Sequence, residues 1–244
     1  MQMYGNFAGL YDPLMKDVDY DRWAEYIASF LPEGSLRIAD CACGTGEMTL
    51  RLAKLGHTLT GVDISEDMLR VASEKARKAA LKIPFICQDM AKLTLHRPQD
   101  AIVCACDGVN YLDSIEDAAE FFAAAYNALK PKGMLLFDIS SKFKLEKVLD
   151  CNTFAEDDGE RAYIWKNCYD PESRLISMEL SFYEKQGDMY RRFEEKHIQR
   201  AHGEDELICA MEKAGFDAKA YSFLTVENTK EEDLRIQFIG RKRA

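Results

Sequence analysis

Three acidic residues that follow short apolar runs are the first candidates for chemistry in this sequence. Asp40 closes one run and stands four residues before Gly44, in a segment that ends at Gly46. Asp63 follows the next run, 17 residues after Gly46, and Asp89 follows the third. An acid in the position of Asp63 can accept hydrogen bonds from both ribose hydroxyls of an adenosine. The two glycines let the backbone approach such a ligand closely, so the pattern predicts a site for an adenosine-containing molecule.

The glycine turn distinguishes between two kinds of adenosine ligand. A dinucleotide site has the pattern G-x-G-x-x-G, which sets a pyrophosphate at a helix N-terminus. Counted from Gly44, the third glycine position holds Thr49, so this pattern is broken. Asp40 instead suits a ligand that carries ammonium and sulfonium cations and no phosphate. The sequence therefore favours a cationic adenosine ligand, and an NAD(P)-dependent oxidoreductase is one alternative.

Alternating strands and helices must position these acids. Alternation of this kind predicts a parallel sheet with helices on both faces. The three acids then lie at the carboxyl ends of neighbouring strands, where open α/β sheets bind ligands. Predicted strands cover residues 36–41, 58–63, 84–88, 101–105 and 134–139, and predicted helices cover 47–55, a segment from Ser65 onward and a segment from Ser114 to near Leu129.

The pattern changes after residue 140, where an antiparallel unit interrupts the alternation. In the middle strand of this unit every second residue is apolar, which predicts one buried face formed by Ile176, Met178, Leu180 and Phe182. The predicted elements here are a short helix over 142–149, a polar loop over 156–160, strands over 162–169, 174–184 and 189–200, a helix over 204–214, and strands over 216–223 and 235–240.

The predicted fold class is α/β, with a Rossmann-like, seven-stranded, mostly parallel sheet, helices on both of its faces, and an antiparallel β-meander insertion. Residues 1–33 form an N-terminal lid and an amphipathic helix, and residues 34–149 and 201–244 form the core. Residues 150–200 form the insertion. It follows the fifth strand, whose carboxyl end opens on the ligand-binding edge, so we expect the insertion to cap a substrate pocket.

Charge and composition exclude several classes of function. The formal net charge is -10 and the sequence pI is about 5.0. An acidic protein repels phosphate backbones, which disfavours a nucleic-acid substrate. No apolar stretch reaches the ~18 residues of a membrane span, and the N-terminus lacks the basic and apolar regions of a secretion signal. We expect a cytoplasmic protein without membrane association, as a monomer or a homodimer.

The chain has eight cysteines, and without a signal peptide these are expected to be reduced thiols. Cys41 with Cys43, and Cys104 with Cys106, have a spacing that raises the question of zinc. Alternate residues on a strand lie ~6.6 Å apart along the chain. A tetrahedral zinc site with ~2.3 Å Zn–S bonds brings its sulfurs closer than that. We therefore predict no metal.

Several segments resemble motifs of the class I S-adenosylmethionine (SAM)-dependent methyltransferases. Asp40–Gly46 resembles the Asp-x-x-Cys-Gly-x-Gly form of the first motif, and Thr60–Met68 resembles the second, Thr-Gly-Val-Asp-x-Ser-x-x-Met. Cys87–Met90 resembles the acidic motif of the third strand, and Leu129–Met134 resembles the Leu-Lys-Pro-Gly-Gly segment, with a lysine at its first glycine. The N-terminal segment 4–15 is similar to that of small bacterial members with a β insertion. The resemblance implies SAM as the cofactor.

The same resemblance implies contacts to the cofactor, residue by residue. Asp40 would serve the methionyl amino group, Asp63 the ribose hydroxyls and Asp89 the adenine amino group. The remaining implied contacts line the methionyl group (Gly44, Gly46, Cys106), flank or reach the adenine (Ile64, Met68, Met90), or cover the cofactor from the N-terminal lid (Tyr11, Trp23).

The methyl acceptor is marked less clearly than the cofactor. Methyl transfer from a sulfonium is an in-line displacement in which the enzyme aligns the reactants and excludes water, so a catalytic base is optional. The segment Cys106–Tyr111 lacks the Asn/Asp-Pro-Pro-Tyr/Phe signature of many exocyclic amino methylases and the Pro-Cys nucleophile of cytosine C5 enzymes. With the acidic charge, this favours an O or N atom of a small molecule. A SAM-binding protein without activity is the other alternative. Candidate substrate contacts are Tyr4, Asn110, Tyr111 and His197.

Overall fold

A computed structural model describes residues 12, 15 and 17–243, and its strands form two separate sheets. The strands are β1 (Arg37–Cys41), β2 (Thr58–Asp63), β3 (Phe85–Cys87), β4 (Gln99–Cys104), β5 (Leu129–Ser140), β6 (Thr153–Asp157), β7 (Arg161–Asp170), β8 (Leu175–Gln186), β9 (Met189–Arg200), β10 (Phe216–Ser222) and β11 (Arg235–Lys242). The α-helices are α1 (Tyr20–Phe30), α2 (Glu47–Lys54), α3 (Glu66–Lys78), α4 (Ile115–Ala128) and α5 (Glu204–Ala214). Short 3-10 helices cover Met90–Lys92 and Gly108–Tyr111, and a π-helix covers Lys144–Leu149.

The main sheet has seven strands in the order β10-β11-β5-β4-β1-β2-β3. Neighbouring strands from β3 to β5 are parallel, and β11 runs antiparallel to both β5 and β10. Asp40 is in register with Gly61 and Val103, and Asp63 is in register with Cys87. The carboxyl ends of β1, β2, β3 and β4 therefore meet at one edge, and the predicted α/β fold class is confirmed.

Helices cover both faces of this sheet. On one face α4 and α5 bury a stack of rings in which Phe137 lies 5.3 Å from Phe122 and 4.8 Å from Phe238, measured between ring centroids. On the other face α1 and α2 pack against the sheet through residues such as Ile27 and Leu52. Three helix starts are capped by side chains, because Asp19, Ser65 and Ser114 each accept a hydrogen bond from a backbone amide three residues on.

The second sheet has four antiparallel strands in the order β6-β7-β8-β9, and it is the predicted insertion. Its alternation is confirmed on β8, where Ile176, Met178 and Phe182 are buried. Ile176 and Met178 pack on Leu145 and Leu149 of the π-helix that leads out of β5. Phe182 packs on Met68 of α3. The insertion is thus docked on the core by the apolar face that the sequence indicated.

One prediction about the insertion is wrong. Residues 156–160 were expected to form a polar loop, but Thr153–Asp157 form β6, and only residues 158–160 make the turn into β7. The turn is closed by the Asp158 amide, which donates to the carbonyl of Arg161 at 3.0 Å. β6 is an edge strand with mostly exposed side chains, so its residues lack the apolar alternation by which a half-buried strand is recognised.

The docking of β8 can be tested by a pair of neighbouring substitutions. Ile176→Ala should lower the free energy of unfolding by about 2–5 kcal/mol, because it leaves a cavity between the insertion and the π-helix. Ser177→Ala, on the exposed face of the same strand, should change it by less than ~0.5 kcal/mol. Urea unfolding followed by circular dichroism measures both values. Equal effects of the two substitutions would contradict the packing.

Candidate active site

A cavity of about 560 Å³ opens at the carboxyl ends of β1, β2 and β4, the edge that the sequence indicated for ligand binding. Its volume lies within the ~300–1,000 Å³ of small-molecule sites. The structure brings together on its wall Asp40, Gly44, Asp63, Ile64, Met68, Asp89, Met90 and Cys106 from the predicted cofactor contacts, and Tyr111 from the predicted substrate contacts.

The turn from β1 into α2 forms one wall of this cavity and depends on its glycines. Gly44 and Gly46 both have left-handed backbone, with φ of 52° and 81°. A Cβ on Gly46 would also stand 3.0 Å from the Cβ of Ala72 on α3. Gly44 lines the cavity, whereas Gly46 is the N-cap of α2 and lies behind the wall. Gly46 therefore shapes the turn, and the structure does not bring it to the cavity.

Asp63 is fixed at the end of β2 by backbone donors. Its Oδ2 accepts from the Gly44 amide and its Oδ1 from the Ser65 amide, both at 2.8 Å. Burial raises the pKa of this carboxyl, and the hydrogen bonds from the backbone of Ser65, Gly44 and Ile64 act against that rise. An ionised carboxylate has about four acceptor positions. Acceptor capacity thus remains on a group that lines the cavity.

Asp40 is the most deeply buried acid of the cavity. It is 1% exposed, and its Oδ2 accepts a hydrogen bond from the Thr49 hydroxyl. Burial raises the pKa of Asp40 to about 7, and repulsion from Asp63 adds to the rise against the Thr49 hydrogen bond. A cation placed beside Asp40 would stabilise its charged form. The acid therefore suits a positively charged ligand.

The predicted adenine contacts line another part of the cavity. Ile64 is 60% exposed, and Met68 and Met90 are buried. Asp89 caps the 3-10 helix that begins at Met90, since its Oδ1 accepts from the Ala91 amide at 2.9 Å. An exposed apolar side chain beside a fixed carboxylate is what an adenine ring with an amino group requires.

At the end of β4 the cavity wall has strained backbone. Cys106 and Asp107 both have left-handed φ, at 66° and 53°. Their amides donate to the two carboxylate oxygens of Asp138 at 2.8 and 3.1 Å. The Tyr20 hydroxyl lies 3.9 Å from the Cys106 sulfur, and both side chains line the cavity. Strain of this kind persists only where surrounding contacts hold it.

Asp107 joins three parts of the chain at this wall. Arg235 of β11 donates to its Oδ1 at 2.8 Å, and Gln199 of β9 donates to its Oδ2 at 2.8 Å. Burial acts to raise the pKa of Asp107, but the charges of Arg235 and Lys144 and the hydrogen bond from Gln199 outweigh it and lower the pKa. Asp107 therefore stays ionised, and it fastens the insertion to the core beside the cavity.

Trp23 does not reach the cavity wall. It is 3% exposed and packs edge-on against Phe223 at 4.7 Å, with the Arg235 guanidinium 5.3 Å above its ring. Tyr20, three residues earlier on α1, lines the cavity in its place. The turn of the helix thus directs Tyr20 to the ligand edge and Trp23 into the core.

Asn110 was predicted as a substrate contact and is a structural residue. It is wholly buried, and its Nδ2 donates to the carbonyls of Ser140 at 3.0 Å and Arg200 at 2.9 Å. Its Oδ1 accepts from the Ser140 amide at 2.9 Å. These hydrogen bonds join the end of β5 to the end of β9. The side chain of Asn110 does not line the cavity.

His197 lies behind Tyr111 and is not on the cavity wall. It is 5% exposed, and its Nδ1 is 3.4 Å from the Tyr111 hydroxyl, with the two rings edge to face at 6.0 Å. Burial lowers the pKa of His197 to about 4, against a smaller opposing effect of Asp107. The imidazole is therefore neutral near pH 7.

The remaining predicted contacts, Tyr4 and Tyr11, lie outside the described residues. The structure adds lining residues that sequence reasoning missed. Tyr20 and Asp107 each had a signal, because one precedes Trp23 by a helical turn and the other directly follows Cys106. No sequence signal indicated the lining residues that come from the insertion and from the loop after the second 3-10 helix, which are Leu112, Asp113, Lys196 and Ile198.

Among the described residues, no group of three or more histidine, cysteine, aspartate or glutamate side chains is arranged to hold a metal ion. In that same part of the chain, no helix combines the length and apolar character needed to cross a membrane.

Comparison with known proteins identifies the family of this chain. Residues 38–133 match a methyltransferase domain family. The Bacillus subtilis protein YqeM, whose name assigns it to the methyltransferases, is 40% identical over 88% of this chain and 86% of its own length. An S-adenosylmethionine-dependent methyltransferase from Clostridium acetobutylicum has 32% identity and a TM-score of 0.89, with 99% of each chain covered. SAM-bound CalS10 from Micromonospora echinaspora, an amino pentose methyltransferase, shares the fold at 20% identity, with a TM-score of 0.76 over 96% of each chain.

The seven-stranded α/β sheet, the acidic cavity at its carboxyl edge and the matched relatives together identify the class of protein. The chain belongs to the class I SAM-dependent methyltransferases. The oxidoreductase alternative is not favoured.

The residues of the cavity fit SAM. The cofactor carries ammonium and sulfonium charges, and the wall offers Asp40 and Asp63 at the ends of β1 and β2. Among the described lining residues the only lysine or arginine is Lys196, which lies on β9 in an ion pair with Glu179 at 2.6 Å. The donor set therefore suits a cation and offers no phosphate-binding cluster.

Ribose recognition by Asp63 can be tested directly. Asp63→Ala removes the charged acceptor, and the loss of such hydrogen bonds costs about 1.5–3 kcal/mol. SAM affinity measured by calorimetry should fall by roughly 10- to 150-fold. Asp100→Ala, which breaks an ion pair with Lys130 at the opposite end of β4, is the control and should leave the affinity unchanged. Unchanged affinity in folded Asp63→Ala protein would rule out the assignment.

The raised pKa of Asp40 predicts a pH dependence of cofactor binding. Only the ionised form attracts a cation, so SAM affinity should rise with pH up to about 7 and level off above it. Below that value the affinity should fall by up to about tenfold per pH unit. Calorimetry between about pH 6 and 8 measures the curve, which Asp40→Asn should flatten at the weaker value. A flat curve in the unsubstituted protein would contradict the role of Asp40.

Proposed function

We propose that this methyltransferase acts on an O or N atom of a small molecule, in the cytoplasm of a bacterium, as a monomer or a homodimer. The observation that carries the proposal is the extent of the cavity. Its wall continues from the cofactor contacts to Tyr111, Leu112 and Asp113, and then to Lys196 and Ile198 on β9. This second region is bounded by the insertion, which argues against a polymer as the acceptor.

In this proposal the carboxylates of the core bind the cofactor and orient it. Asp63 holds the ribose, Asp40 attracts the positive end, and Asp89 with Ile64 and Met90 receives the adenine. SAM, when bound, would supply a sulfonium methyl group whose carbon a nucleophile can attack in line, with the neutral thioether as the leaving group. The tasks of the protein are then to align that nucleophile and to exclude water. Tyr20 and Cys106 lie together on the wall. They border the region in which the nucleophile would be aligned with the methyl group.

The charge of the cavity supports a small acceptor over a nucleic acid. Asp107 and Asp113 stand on the acceptor side, in addition to the acids of the cofactor side. Among the described residues that line this side, Lys196 is the only lysine or arginine, and it pairs with Glu179. A phosphate backbone at this wall would meet carboxylates, which repel it.

The insertion, residues 150–200, is proposed to cap the acceptor region. Its edge strand β9 contributes Lys196 and Ile198 to the wall, and Gln199 fastens that strand to Asp107. A cap in this position excludes water and selects the acceptor, while the loops of the core hold the cofactor.

Tyr111 and His197 are proposed to position the acceptor together. With its proton on Nε2, the neutral imidazole accepts a hydrogen bond from the Tyr111 hydroxyl, whose oxygen lies 3.4 Å from Nδ1. The phenol oxygen then keeps its acceptor character toward the cavity that Tyr111 lines. An N–H or O–H group of the acceptor can donate to that oxygen and present its lone pair to the methyl group. His197 is thus a positioning residue that acts through Tyr111.

The proposal is tested by incubating the protein with SAM labelled in its methyl group and a bacterial lysate, which is then separated into small metabolites, nucleic acid and protein. Label should pass to one or a few small molecules, which mass spectrometry identifies. The same lysate with Asp63→Ala protein is the control and should give strongly reduced transfer. Label that appears only in nucleic acid or protein fractions would overturn the proposal. Undiminished SAM binding without any transfer would favour the inactive binding protein.

The role of Tyr111 predicts a specific pattern of kinetics. With the acceptor found in that screen, Tyr111→Phe should lower kcat/KM by about tenfold, the effect of one lost hydrogen bond of about 1.4 kcal/mol. SAM affinity should stay the same. His197→Leu should act like Tyr111→Phe, and His197→Asn, which keeps an acceptor atom near the position of Nδ1, should restore most of the activity. Tyr190→Phe, on an exposed tyrosine of the insertion, is the matched control. Full activity of Tyr111→Phe would remove the pair from the mechanism.

A further inference from the structure

Two cysteines lie on adjacent chain segments at the base of the insertion, outside the cavity. In the antiparallel pair of β6 and β7, Thr153 is opposite Lys166 and Phe154 is opposite Trp165. Cys151 comes two residues before Thr153, and Cys168 comes two residues after Lys166. The two segments stay adjacent beyond the paired residues, because the Asn167 amide donates to the carbonyl of Asn152 at 3.1 Å.

Hydrogen bonds on both sides of the two cysteines hold them near each other. Cys151 lies in a turn with a left-handed φ of 54°, and the Asn152 amide donates to the carbonyl of Leu149 at 3.0 Å, so the regular ladder ends before the cysteines. Disulfides form at Cα separations of about 4.4–6.8 Å. One residue further on, the Tyr169 amide donates to the Asp150 carboxylate at 2.8 Å, which keeps the two chain segments side by side beyond the cysteines.

Both thiols are also accessible. Cys151 and Cys168 are exposed and reduced in this structure. A hydrogen bond to Asp150 raises the pKa of the Cys151 thiol, and the neighbouring Cys168 adds to the rise. Oxidation that begins at Cys151 should therefore become faster as the pH rises.

We propose that Cys151 and Cys168 form a reversible disulfide when the protein meets a peroxide. One thiolate attacks a peroxide oxygen to give a sulfenic acid and releases water or an alcohol. The other thiol then attacks that sulfur and releases water, so two thiols are oxidised and one peroxide is reduced. A dithiol reductant reverses the bond.

The bond would fasten the joint between the core and the insertion. Cys151 is the second residue after the π-helix Lys144–Leu149, and that helix connects β5 to the insertion. Leu145 and Leu149 of the helix pack beneath the sheet of the insertion. A bond from this point to the end of β7 closes a loop, which restricts the unfolded chain and the motion of the joint.

Peptide mapping tests the proposal sharply, because trypsin separates the two cysteines. Cys151 falls in the peptide of residues 148–161 and Cys168 in that of residues 167–174. After mild treatment of the dilute full chain with hydrogen peroxide, free thiols counted in denaturant should fall by two, from eight to six. The two peptides should then appear as one cross-linked species that dithiothreitol dissolves. Recovery of both as separate, alkylated or over-oxidised peptides would overturn the proposal.

Three single variants complete the test. Cys151→Ser should leave Cys168 available to alkylation after peroxide, and Cys168→Ser should do the same for Cys151. Cys209→Ser is the matched control, since Cys209 is exposed on α5 away from the pair, and it should still form the bond. Thermal unfolding gives an independent measurement. Peroxide should raise the Tm of the Cys209→Ser protein and leave that of Cys151→Ser unchanged. A cross-link that joins two chains, or that is lost in Cys209→Ser, would contradict an intramolecular pair.

Discussion

The carboxylate of Asp138, buried at the end of β5, holds the backbone amides of Cys106 and Asp107 in a left-handed conformation that neither residue would adopt alone. Arg235 pairs with the same carboxylate and with Asp107. Gln199 brings the edge strand of the insertion to Asp107. Parts of the chain that are far apart in sequence thus meet in one hydrogen-bonded cluster. The shape of the cavity beyond the cofactor contacts depends on that cluster being complete.

The two ends of the cavity are consequently built in different ways. The cofactor end is local, because one turn and the ends of adjacent strands supply Gly44, Asp40 and Asp63. The end that we propose for the acceptor is assembled from long-range contacts between the loop after β4 and the insertion. An enzyme of this design can keep its cofactor chemistry while insertions alter the acceptor, since function resides in sites carried by the fold.

This difference also explains how much could be predicted from the sequence. The alternating strands and helices predicted the sheet correctly, and the acid at each strand end led to residues that the structure places on the cavity wall, because short motifs fix both. Trp23 was misplaced because an amphipathic helix presents neighbouring aromatic residues to both the ligand edge and the core. Asn110 and His197 were misplaced because their partners, the ends of β5 and β9 and the ring of Tyr111, meet only in the tertiary structure. β6 was missed because an exposed edge strand needs no apolar alternation.

The burial of Asp40 has a consequence for the folded state. In the unfolded chain this carboxyl titrates near its ordinary value of 3.8, whereas in the fold its pKa is about 7. The folded protein therefore binds more protons than the unfolded chain between those values, and the contribution of Asp40 to stability declines as pH rises through that window. At neutral pH the cofactor-free fold is less stable than it would be with an uncharged residue there. The acid at this position is thus a compromise between the stability of the cofactor-free fold and ligand binding. A bound cation offsets the loss by stabilising the folded state.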